Sequence, residues 1–175
     1  PELLSFWEEG AKNKWPDISG AARYELANRW SKQIKIRPLL DRVVDTESEA
    51  SFRLELIDTI GHFKPRYTKK QKTESTDALE DIIGKKSNPI PVRVSACHRL
   101  AGLIRIMLEN QELTNERYLK TTSLLTGLLL DDEQPAELRS KAASSLGVIK
   151  DKNSETNLLN VLKRWHEIDP IIVRG

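Results

Sequence analysis

The sequence predicts an all-α protein built from successive helix pairs. Three observations carry that prediction. Apolar residues recur with a helical period along most of the chain, helix breakers are few and spaced, and one short segment returns three times. The helical period is clear at Leu39, Leu40, Val43 and Val44, and again at Ala78, Leu79, Ile82 and Ile83. It returns at Leu100, Leu103, Ile104 and Met107, and at Leu158, Leu159, Val161 and Leu162. Ile34-Lys35-Ile36 alternates but is too short for a strand. With 8 Gly and 8 Pro in 175 residues, the breakers fall where helices should end.

Taken in order, the first pair is expected near 2–9 and 19–33, and the second at 38–46 and 49–63. Pro65 then breaks the chain. The third pair is expected at 73–85 and 89–109, with Gly84 and Lys85 suited to a helix C-terminus. The fourth follows at 114–131 and 134–149. The fifth is expected at 154–167, with a second helix starting at 170 and cut at Gly175, so the chain reads as a fragment of a longer array.

The returning segment aligns without gaps. Asn88-Pro89-Ile90-Pro91-Val92-Arg93 matches Gln134-Pro135-Ala136-Glu137-Leu138-Arg139, and both match Asp169-Pro170-Ile171-Ile172-Val173-Arg174. Ala96 and Ala142 stand three residues after their arginines, and Leu100 and Leu146 stand seven after. A degenerate copy holds Phe52-Arg53, Leu56, Ile60 and Gly61, and a weaker one Arg23, Leu26, Ala27 and Trp30. The polar residue reads as an N-cap and the proline as a helix opener. The aliphatic, Ala and Leu positions share one stripe. Arg93 and Arg139 recur at one repeat position and so read as structural, with Asp45 and Asp131, eight residues before Arg53 and Arg139, as candidate acid partners.

These segments resemble HEAT repeats, whose second helix commonly opens with Pro-x-x-Val-Arg and continues with Ala and Leu. The run from Pro135 to Gly147 carries the resemblance most closely. It implies a right-handed α-solenoid of about four to five HEAT-like pairs, related to armadillo-type arrays. It also implies a protein or peptide as partner, and a non-catalytic role as interaction scaffold or sensor segment of a larger protein.

Composition narrows the classes. Lys+Arg 28 against Asp+Glu 26 leaves a net charge of +2, unlike the strong basic excess of a dedicated nucleic-acid binder. Binding to a nucleic-acid backbone stands as the alternative function. The single cysteine, Cys97, excludes an internal disulfide and reads as a buried inert thiol. The longest apolar run, Leu124 to Leu130, is too short to span a membrane, and an intracellular, cytoplasmic location is expected.

No catalytic signature emerges, and neither a cofactor nor a metal is expected. Gly84-Lys85-Lys86-Ser87 lacks the spacing of a phosphate-binding loop. His166-Glu167 has Pro170 where a second zinc-binding histidine would stand. Asp131-Asp132-Glu133 reads as a turn before Pro135. Trp7, Trp15 and Trp30 read as covering one end of the core.

Two surfaces remain as candidates. If the aliphatic stripe faces inward, positions one, two, five and six after each arginine face outward. The charged and histidine members are Glu25, Arg29, Glu55, Asp58, His98, Arg99 and Lys141, with Arg99 and His98 expected at the centre. They lie among small residues at Ser140, Ser144 and Ser145. The second surface is a basic loop of Lys64, Arg66, Lys69, Lys70 and Lys72, a candidate anion contact expected to be dispensable for folding.

Overall fold

The computed structural model describes residues 36–63 and 67–150, with single helical positions at 156, 159 and 163. Six helices make up the two continuous stretches. They are α1 (Ile36–Val44), α2 (Ala50–Phe63), α3 (Lys69–Gly84), α4 (Ile90–Glu109), α5 (Asn115–Leu130) and α6 (Ala136–Ile149). The expected pair at 2–33 lies outside the described residues, as do the four tryptophans and nearly all of 154–175.

Each helix packs on its neighbour in the chain: α1 on α2, α3 on α4, α5 on α6. Helices two apart also pack, in two rows. One row is α1, α3 and α5; the other is α2, α4 and α6. Between the rows lies one apolar core. Leu56, Ile57 and Ile60 of α2 meet it from one side and Leu79, Ile82 and Ile83 of α3 from the other. Val92, Ala96, Leu100, Leu103 and Ile104 of α4 and Leu138, Ala142 and Leu146 of α6 continue it, as the shared stripe predicts.

The turn before each second-row helix is built the same way three times. Ser48 N–H donates to Asp45 O, Asn88 N–H to Lys85 O, and Gln134 N–H to Asp131 O. In the outer two copies the aspartate braces the turn. Asp45 accepts from Glu47 N–H and Ser48 Oγ, and Asp131 from Glu133 N–H and the Gln134 amide. The Glu47 N–H bond to Asp45, and the Gln134 amide bond to Asp131, are the leading causes that hold these carboxyls below their ordinary pKa of 3.8.

From each turn an arginine then reaches back ten residues. Arg53 Nε donates to Val43 O (2.8 Å), Arg93 Nε to Ile83 O (2.9 Å) and Arg139 Nε to Leu129 O (3.2 Å). Those carbonyls belong to the last turns of α1, α3 and α5, where no intrahelical donor exists and the dipole favours a cation. Hence the arginines are structural, but their direct partners are helix-end carbonyls rather than the aspartates eight residues before. Arg139 adds an ion pair to Asp132, at 2.7 Å.

The polar residue that precedes each proline also has a role other than the expected one. The caps of α4 and α6 are Pro89 and Pro135, and neither helix has a side-chain cap hydrogen bond. Asn88 and Gln134 are buried and look to the preceding pair. Asn88 Oδ1 accepts from Arg53 Nη2 (2.8 Å), and Gln134 Oε1 accepts from Arg93 Nη1 (3.1 Å). Asn88 Nδ2 also ties back to Ile82 O at 2.8 Å. A neutral amide can accept from a buried guanidinium while donating elsewhere, so both of its ends are satisfied.

Candidate interaction surface

The outward positions of the second row are now placed. Leu54, Glu55, Asp58 and Thr59 on α2 are half-buried, as are Val94, Ser95 and Arg99 on α4. His98, Ser140 and Ser144 are exposed, and Lys141 is half-buried. Ser145 departs from the expectation. It is buried, and its Oγ donates to Cys97 O at 3.1 Å. The close approach of α4 and α6 covers it, which a count of helix positions from Arg139 does not foresee. Glu25 and Arg29 lie outside the described residues.

Arg99 lies across α2. Its Nη2 and Nε reach Asp58 Oδ1 at 2.9 and 3.2 Å. Gly61 makes this path possible. A Cβ there would stand 2.3 Å from Arg99 Cδ, inside any allowed contact. The expected centre of the surface is therefore a fixed ion pair between neighbouring helices. His98, Ser140, Lys141 and Ser144 flank it along the same row. The surface as a whole offers both charge signs, small polar residues and half-buried Leu54 and Val94.

The basic segment differs from its expectation. α3 begins at Lys69, four residues earlier than expected, because Thr68 caps it. Thr68 Oγ1 accepts from Gln71 N–H, and the Gln71 side chain accepts from Thr68 N–H. Lys69 and Lys70 thus lie exposed on the first turn of a helix rather than in a loop. Lys72 is buried and its ammonium meets Glu112 at 2.7 Å, so it is committed to the fold. Tyr67 is buried as well, and burial raises its pKa. Lys64 and Arg66 lie outside the described residues. Lys72 therefore does not share the exposed face of Lys69 and Lys70.

One cluster went unread in the sequence. On the first row, the buried Glu80 of α3 accepts from Thr121 Oγ1 (2.6 Å) and Arg117 Nη1 (3.1 Å) of α5. Lys120 Nζ stands 2.7 Å from the same carboxylate, and Arg117 also pairs with Asp77. Asp77 and Glu80 are three apart, as are Arg117 and Lys120, one repeat further on. That matched spacing is the signal that could have found the pairing. Every charge in it is answered, so it is a joint between α3 and α5 rather than a reactive centre.

Cys97 is fully buried and its thiol pKa is pushed up to about 12, burial being the main cause. Among the described residues no group of three or more His, Cys, Asp or Glu side chains could hold a metal ion. No described helix is long and apolar enough to cross a membrane. Comparison with protein families, with characterised proteins and with solved structures gave no match. The described residues form an all-helical domain of six helices with mostly adjacent-helix packing.

Proposed function

We propose that this chain is a HEAT-like α-solenoid segment whose second-row helices form a protein- or peptide-binding surface. In this reading it is a non-catalytic interaction scaffold of a larger protein. The observation that carries it is the threefold recurrence of one turn with one arginine reaching back ten residues, at Arg53, Arg93 and Arg139. The same arginine joint closes each of three successive pairs, and similar pairs stacked in series expose an extended surface along one row. The step from that architecture to binding is an analogy of fold, and the mixed polarity around His98, Arg99 and Lys141 supports it.

The test is affinity capture with quantitative mass spectrometry, comparing the chain with two variants. Arg99 is unsuitable for substitution, because it holds Asp58. The informative variant is His98→Glu with Lys141→Glu. A control carries Lys70→Glu with Glu116→Lys on the other row, both exposed positions. The reading expects a saturable partner whose recovery falls at least about tenfold with the first variant and stays with the control. Equal recovery by both variants would place binding elsewhere and overturn the assignment of this face.

A further inference from the structure

The two rows of helices are not joined in the same way. On the second row, α4 and α6 share the most extensive packing of any two described helices. Ser145 Oγ reaches Cys97 O across it at 3.1 Å. Both helices bury small and aliphatic residues there, Ala96 and Leu100 on one and Ala142 and Leu146 on the other. On the first row, α3 and α5 stand further apart and approach along little of their length. α1 and α3, one step earlier in the same row, meet more extensively.

What spans the gap between α3 and α5 is charge. Glu80 is 6% exposed and accepts from Thr121 Oγ1 at 2.6 Å and from Arg117 Nη1 at 3.1 Å, with Lys120 Nζ at 2.7 Å. Asp77 pairs with Arg117 and stands 3.9 Å from Lys120. Closely packed apolar surfaces resist a change of spacing, because dispersion contacts are lost within a fraction of an ångström. Coulombic attraction falls off slowly with distance, and lysine and arginine deliver their charge on long, flexible stems. A joint of the second kind holds an angle without locking it.

We propose that the α3–α5 joint is the open side of a hinge. The α5–α6 pair turns against the α3–α4 pair about the α4–α6 contact, and the cluster of Asp77, Glu80, Arg117 and Lys120 sets the angle. The turn alters the tilt between α4 and α6. It therefore alters the curvature of the second row, where His98 lies on α4 and Ser140, Lys141 and Ser144 lie on α6. A charge cluster on one row thus adjusts the face presented by the other. The inference rests on the unequal packing of the two rows and not on any binding partner.

The test is distance measurement between spin labels in the full chain, with no partner added. Cysteines replace exposed residues in pairs: Lys70→Cys with Ser123→Cys across the first row, and Arg105→Cys with Glu137→Cys across the second. The native Cys97 is buried and takes no label. Each labelled pair is measured in the parent and in Asp77→Asn with Glu80→Gln, which keeps the side-chain shapes and removes the negative charge. The first-row separation should shift or broaden by at least about 2 Å, the scale of a helix shift at an interface, and the second-row separation by less than about 1 Å.

Far-UV circular dichroism checks that the helices persist. Asp77→Asn with Lys120→Gln is the milder variant, because it leaves the contacts of the buried Glu80 with Arg117 and Thr121 in place. It should move the first row in the same direction by a smaller amount, and it decides the matter if the first variant does not fold. An unchanged first-row distribution in the first variant, or in the milder one where the first does not fold, overturns the hinge. An equal change in both rows overturns it too, since that would be a general loosening rather than a turn about α4–α6.

Discussion

Replacing Arg93 by methionine isolates what a buried arginine does at these joints. Arg93 is 2% exposed, and it links the end of α3 to the turn before α6. Burial works against its charge and lowers its pKa, yet an arginine stays ionised, so the cost of burying it is met by hydrogen bonds. Arg93→Met keeps most of the apolar stem and removes the donors. Ile83 O then loses a charged donor at a helix C-terminus, about 1.5–3 kcal/mol. Gln134 Oε1 is left buried without one, about 1–3 kcal/mol. The released desolvation cost of the guanidinium offsets part of this.

The net expectation is a loss of about 2–4 kcal/mol. At roughly 2–4 °C per kcal/mol for a chain of this size, the melting midpoint should fall by at least about 4 °C. Urea unfolding followed by far-UV circular dichroism measures the loss, with an unchanged slope as the check that the denatured state is the same. Arg93→Lys keeps the charge but not the fork, and should recover only part of the stability. Arg105→Met is the control, because Arg105 is 60% exposed in its pair with Glu109 and should matter by less than about 0.5 kcal/mol. A loss below about 0.5 kcal/mol for Arg93→Met would refute the view that these arginines hold successive pairs together.

Glu112→Ala should cost about 1–3 kcal/mol in the same assay, because it strands the Lys72 ammonium, whose side chain is 3% exposed. Lys69→Gln with Lys70→Gln should change little, and equal effects of the two variants would contradict the burial of Lys72. Acid should weaken the fold in a defined window. Asp131 is held below 3.8 in the folded chain, so its contribution is full above that value and is lost as pH falls through its lowered folded pKa. Asp131→Asn should flatten that part of the acid limb, and an unaltered profile counts against the brace. The Cys97 thiol should resist a thiol reagent in the folded chain at mildly alkaline pH and react fully in denaturant; prompt native labelling would contradict its burial.

The sequence alone determined that the six described helices exist and the order in which they pair, though not every limit. A helical period of apolar residues is a local property, and it placed α4 and α6 within two residues of their observed limits at 90–109 and 136–149. The recurring Pro-x-x-aliphatic-Arg unit likewise marked the turns and singled out Arg93 and Arg139 as structural. What these side chains touch was decided only by tertiary structure.

Asn88 and Gln134 look like caps of their own helices, yet they accept from arginines 35 and 41 residues away. Arg99 looks like a free contact residue, yet it is held by Asp58, 41 residues distant, along a path that Gly61 opens. Lys72 looks like part of a solvated basic run, yet Glu112, 40 residues on, draws it inside. Periodicity fixes which face of a helix turns inward. It does not fix which neighbour lies over the rest, because that depends on how one pair stacks upon the next, and the stacking is set by contacts about one repeat apart in the chain.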